Sequence, residues 1–189
     1  MEIHLIRHSP PDIGKGICYG QLDVDVNHLY HQYANAYTEK LPKEFDVVYS
    51  SPLKRCKLLA LNFDVNFVED KNLMELNFGS WEGKGWQEIP ASEITPWYVD
   101  YVNTAPTNGE SYQMMFERVR DFMKTLETME HKKILLVTHA GVLRSVLAYV
   151  LEIQLKKTFQ IAVDFGVHIR LHYSKEMGWR LDEISNDEK

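Results

Sequence analysis

Three short stretches hold side chains able to do chemistry. Arg7-His8 closes the apolar run "HLIRH" just before Ser9-Pro10-Pro11, Ser50-Ser51 leads through Pro52 to Arg55, and "VTHAG" (137–141) ends an Ile- and Leu-rich run in His139. Two guanidinium forks, two imidazoles and the free amides of helix N-termini together suit a compact, multiply charged anion, and phosphate is the natural reading. Each element alone is weak. A strand-end Arg-His pair is more often a surface ion pair, and a strand-end His is commonly a buried ring bonded to backbone. Their convergence is what carries the argument.

The elements that must position these groups follow from hydrophobic spacing. "EIHLIRH" reads as a buried strand, and "NHLYHQYANAYTEKL" as a helix with Tyr30, Tyr33, Ala34, Tyr37 and Leu41 on one face behind an Asn27 cap. "EFDVVYSSPLKRCKLLAL" predicts a strand over 45–49, then a helix capped by Ser51 with Pro52 as its first residue and Arg55 in its first turn. "DVNFVED" is a third strand candidate. "SYQMMFERVRDFMKTLETM" is a long helix with Met115, Val119, Phe122, Met123, Leu126 and Met129 on one face. "KKILLVTHAGVLRSVLAYVLEI" is a central strand buried on both faces, followed by a helix. Val167, Ile169, Leu171 and Tyr173, then Trp179, Leu181 and Ile184 after "SKEMGW", predict an antiparallel hairpin, and "SNDEK" a frayed end.

Alternating strands and helices indicate an α/β fold, a three-layer sandwich with a mostly parallel central sheet. In such sheets ligands bind beyond the carboxyl ends of the strands, where Arg7-His8, Ser50-Ser51 and Thr138-His139 converge. The chain of 189 residues reads as one domain, 1–189. Residues of about 73–108, rich in Trp81, Trp86, Trp97, Tyr98 and Tyr101, form an insertion suited to cap a pocket.

Bulk properties exclude several classes. A net charge of −6 with scattered Lys and Arg argues against a nucleic-acid partner, and no apolar run approaches a membrane span, Arg144 and Glu152 interrupting the best candidate. Two cysteines and the absence of a signal-peptide pattern predict a cytoplasmic protein. Neither cysteine has the Cys-x5-Arg spacing of a cysteine phosphatase, since Val24 and Asn62 occupy those positions. His4, His28, His31, His131, His168 and His172 show no ligand spacing, so neither a metal nor another cofactor is expected. An exposed sheet edge could support a homodimer.

In order along the chain, "LIRH" (5–8), "SSPLKRC" (50–56), "LMELNFGSWEG" (73–83), "NGES" (108–111) and "VTHAG" resemble the histidine phosphatase, or phosphoglycerate mutase-like, superfamily. The resemblance implies a phosphomonoester hydrolase in which His8 forms a phosphohistidine, Arg7 and Arg55 hold the phosphoryl oxygens and a charged His139 stabilises the transition state. It also implies Glu75 as the general acid; Glu82, in the same stretch, is the fallback. Cationic side chains then do what a metal does elsewhere.

"KGICYGQLDVDV" (15–26) resembles the Cys-Tyr-Gly-x-x-Asp segment of α-ribazole phosphatases. It implies hydrolysis of α-ribazole 5′-phosphate, or of the corresponding phosphorylated cobalamin, in cobalamin biosynthesis, with Gln21 as a substrate contact. Where many members carry Gly-Glu-Thr or Gly-Glu-Ser after Arg-His, this chain has Ser9-Pro10-Pro11, and Ser9 could supply a hydroxyl to phosphate. After His139 it has Ala140, a further substrate-contact candidate, where the acid-phosphatase branch carries Asp. Rival readings are a broad or sugar-phosphate phosphatase, a cofactor-dependent phosphoglycerate mutase and a phosphate-ligand binding protein without catalysis.

Overall fold

Strand β1 (Glu2–Arg7) is buried on both faces, which places it inside a sheet rather than at an edge. The computed structural model describes residues 1–64 and 66–186. Its six strands are β1, β2 (Val47–Ser50), β3 (Val68–Glu69), β4 (Lys133–Thr138), β5 (His168–Ser174) and β6 (Gly178–Ser185), in the order β3-β2-β4-β1-β5-β6. β1, β2, β3 and β4 run parallel, and β5 and β6 add the predicted antiparallel hairpin.

Side-chain alternation along each strand feeds two cores. Ile3, Leu5, Ile134, Leu136, Ile169 and Leu171 pack with α4 (Tyr112–Glu127) and α5 (Ala140–Leu151). On the opposite face Ile6, Val48, Leu135 and Val137 meet α1 (Tyr30–Lys40) and α2 (Lys54–Ala60). The result is the three-layer sandwich. A third, smaller cluster joins Cys18 to Trp81, Ile89 and Ile94 of the 73–108 segment, which folds as short 3-10 turns and α3 (Ala91–Val99).

Element starts differ from expectation in three places. Asn27 does not cap α1: its Oδ1 accepts from Leu29 N in a preceding turn, and the helix begins at Tyr30. Ser51 likewise turns the chain by accepting from Leu53 N, so α2 begins at Lys54 and Pro52 stays outside it. The third strand is only Val68–Glu69, because a short edge strand has one partner, β2, to hold it. Val65 of that candidate, and the last three residues of the expected frayed end, lie outside the described residues. No helix among the described residues is long and apolar enough to cross a membrane.

Two histidines in the sheet form a buried pair. His4 Nδ1 meets His168 Nε2 at 2.9 Å with the rings stacked, and His4 Nε2 reaches Glu2 Oε1 at 2.9 Å. Burial pushes both histidines down, His168 to about 4, below the ordinary value of 6.5 that an unfolded chain would show. Between those values the unfolded chain binds more protons, so stability is full above about pH 6.5 and falls as the pH drops toward 4. His168 alone removes about 1–2 kcal/mol by about pH 5, allowing for solvent screening. Urea midpoints at pH 7.5 and 5 should fall accordingly, and His168→Leu should flatten the difference.

Candidate active site

The parallel register brings three strand ends to one level. Arg7 pairs with Thr138 and Ser50 with Val137, while His8 N donates to Thr138 O and Ser51 N to Val137 O, so the ladder continues one residue past each strand. His8, Arg55 and His139 thereby converge with 1%, 0% and 0% of their surface exposed. The rings of His8 and His139 meet edge to face at 4.9 Å.

His8 has a defined tautomer. Its Nδ1 lies 2.7 Å from Ser9 O, and a carbonyl can only accept, so Nδ1 carries the proton and Nε2 a free lone pair. Arg55 Nε donates to that Nε2 at 3.3 Å. Burial first, then the charges of Arg55 and Arg7, hold His8 well below the usual histidine range. At neutral pH it is therefore an uncharged base beside two fixed cations, which is what an in-line attack on phosphorus requires.

Arg55 is anchored by Gly20 O at 2.7 Å and Leu22 O at 2.9 Å. Arg7 donates to Val163 O at 2.9 Å and stacks 3.7 Å over the Phe165 ring, leaving its buried Nε without a partner. Ser9 Oγ is also buried and unpartnered. These two atoms are donors in search of an acceptor, consistent with phosphoryl oxygens. His139 lies in the same setting as His8. Burial first, then Arg55, hold it well below the usual range, so among protein groups alone it is neutral, with Nε2 bonded to Ser51 Oγ at 2.8 Å. A bound phosphoryl dianion is the charge that would draw a proton onto it.

Glu75 comes from an irregular stretch held by remote groups. Its backbone O accepts from Gln21 Nε2 at 2.9 Å and Arg118 Nη2 at 3.1 Å; Arg118 also takes Asn72 O and is paired through two nitrogens with Glu110. Glu110 Oε1 accepts in turn from Asn77 N. This explains "NGES": Gly109 leaves no room for a Cβ against Asn77 O, Glu110 clamps the stretch, and Ser111 Oγ caps α4 through Met114 N. The Glu75 carboxylate is aimed by Gly141 N at 3.2 Å and Leu76 N at 3.0 Å, and a Cβ on Gly141 would collide with it.

A cavity of about 300 Å³ adjoins Glu75, Ala140 and Gly141. Its walls are aromatic, including Tyr19, Phe78, Trp86, Trp97 and Tyr101. Gln21 is not among its lining residues; its Nε2 donates to the Glu75 carbonyl and so supports the stretch that carries Glu75. Glu82 Oε1 accepts from Gln21 N and Phe78 N, and Glu82 is not among the residues that line the cavity, whereas Glu75 is. Sequence reasoning missed Ser51 as the partner of His139, Phe165 beneath Arg7, and the Arg118–Glu110 pair. Only the last had a signal, in the quoted "NGES".

The sequence profile of the histidine phosphatase superfamily (branch 1) matches residues 3–187. The adenosylcobalamin/α-ribazole phosphatase of Salmonella typhimurium is 32% identical over 176 residues, 88% of this chain and 87% of that protein. The metal-independent phosphoserine phosphatase of Arabidopsis thaliana is 32% identical over 159 residues, 77% of this chain and 66% of that protein. Among solved structures, the α-ribazole phosphatase from Shigella flexneri aligns with a TM-score of 0.88 at 26% identity, over 96% of this chain and 95% of that one.

Proposed function

This chain belongs to the histidine phosphatase superfamily and is a phosphoric monoester hydrolase, and we propose that it acts through a phosphohistidine on His8 with α-ribazole 5′-phosphate as its substrate. His8 Nε2 attacks phosphorus as Arg55 Nε passes from that nitrogen to a phosphoryl oxygen; Arg7 and Ser9 Oγ take the others. Glu75 gives its proton to the departing alcohol, then removes one from the water that cleaves the phosphorus–nitrogen bond. His139 stabilises the equatorial oxygens, gaining charge only when phosphate is present.

The observation that carries the substrate is the cavity. Its volume of about 300 Å³ and aromatic walls suit a nucleoside-like alcohol better than a small polar one. The 73–108 segment supplies Phe78, Trp86, Trp97 and Tyr101 to those walls and so serves as a cap within the single domain. The buried free thiols of Cys18 and Cys56 suit a cytoplasmic setting.

A second reading, phosphoserine hydrolysis, is favoured by the Arabidopsis relative. Phosphate release from α-ribazole 5′-phosphate, O-phosphoserine, 3-phosphoglycerate and fructose bisphosphate, with excess chelator, separates the two. The expected result is a kcat/KM for α-ribazole 5′-phosphate at least about tenfold above the others. The reverse order for phosphoserine would move the assignment to the second reading.

A further inference from the structure

Helix α5 presents Ala140, Gly141 and, one turn on, Arg144 to the same cavity. Gly141 N–H is taken by Glu75, whereas Arg144 forms no hydrogen bond or ion pair among the described residues. Its Nε is buried without a partner, and its guanidinium carbon lies 5.0 Å from the centre of the Phe159 ring. Burial, the largest influence, lowers its pKa, the mark of a cation poorly served by its surroundings. Of the groups whose charge reaches it, the Glu75 carboxylate is engaged with Leu76 N and Gly141 N and the Tyr112 hydroxyl with Thr158 Oγ1, while the exposed Asp164 makes no ion pair with it among the described residues.

A guanidinium whose buried Nε has no acceptor among the described residues, set beside aromatic walls and outside the phosphoryl cluster, is open to an acceptor that a ligand brings. We propose that Arg144 is the specificity-determining residue of this cavity, donating to a hydrogen-bond acceptor on the alcohol half of the substrate while the aromatic walls take its flat face. The substrate class is a phosphomonoester whose alcohol carries a ring with an acceptor at its edge, either a carboxylate or a heterocyclic nitrogen. In α-ribazole the unsubstituted ring nitrogen has that character. The inference rests on the reading of His8 and Glu75 as the reacting groups, because that reading fixes which end of the cavity faces phosphorus.

The test compares binding of benzylphosphonate and 4-carboxybenzylphosphonate to the wild-type chain, Arg144→Met and Arg144→Lys by calorimetry. Neither ligand can be hydrolysed. The expected result is a wild-type preference for the carboxylate of about ten- to a hundredfold, collapsing to near one in Arg144→Met. Arg144→Lys should keep part of it, because an ammonium restores the charge without the fork. A wild-type ratio near one, or the wild-type ratio retained in Arg144→Met, would overturn the proposal, as would failure of the carboxylate ligand to bind at all. Hydrolysis of α-ribazole 5′-phosphate is measured alongside. Poor turnover there with the Arg144-dependent preference intact would sink the α-ribazole reading while Arg144 keeps its role.

Discussion

Replacing His8 with alanine should lower kcat/KM on every phosphomonoester by at least about a thousandfold and abolish the phosphoenzyme. The size of the effect follows from the site. Nε2 is the one lone pair held beside both arginines, since Nδ1 is committed to Ser9 O, and His139 Nε2 is engaged by Ser51 Oγ. Rapid quenching at alkaline pH after mixing with labelled substrate should trap one phosphoryl group per chain in the wild type and none in His8→Ala. Retention of the trapped label in the variant would place the nucleophile elsewhere. Retention of turnover without a trapped label in the wild type would argue for direct attack by water.

Asn at position 8 sharpens the result. His8→Asn keeps a donor toward Ser9 O but offers no nucleophilic nitrogen, so it should fold as the wild type does and still lose the chemistry. If it recovered activity, the role of His8 would be positional.

The strand-end cluster was legible because it depends on short-range rules. A run such as "ILLVTH" is long enough and apolar enough to be a central strand, and parallel strands end at one level, so the register of Arg7 with Thr138 follows almost directly. The helix starts were not legible, because Asn27 and Ser51 have side chains that serve a turn as readily as a cap, and the choice is made by tertiary neighbours such as the His139 ring on Ser51 Oγ. The third strand failed for a related reason: β propensity in "NFVED" meets only one hydrogen-bonding partner.

Within the site, what was hidden is what acts through long sequence separations. Arg118 and Glu110 hold Glu75 from α4 and its approach, and Phe165 reaches Arg7 from the loop before β5. Apart from Glu110 in "NGES", no local spacing reports such contacts. Nor does spacing reveal charge state: the resemblance implied a charged His139 in the transition state, and only the fold shows that burial and the nearby cations hold the ring well below the usual histidine range before phosphate binds.

The irregular stretch around Glu75 bears the second large effect. Glu75→Gln should lower kcat/KM by about a hundredfold or more for alkyl phosphates, whose alkoxide needs a proton to leave, and far less for 4-nitrophenyl phosphate, whose phenolate does not. Water must still be deprotonated to cleave the phosphorus–nitrogen bond, so with the aryl ester this variant should release one equivalent of nitrophenol in a burst and then accumulate phosphorylated His8. Gln keeps one acceptor oxygen, for Gly141 N or for Leu76 N, and gives up the other bond. Gly141→Ala offers the complementary test: its Cβ would strike Oε1 of Glu75 and displace the carboxylate without altering its chemistry. It should therefore share the dependence on leaving group in weaker form. An equal loss on alkyl and aryl esters, with no burst from Glu75→Gln, would mean that Glu75 braces the α5 N-terminus and that the proton comes from another group.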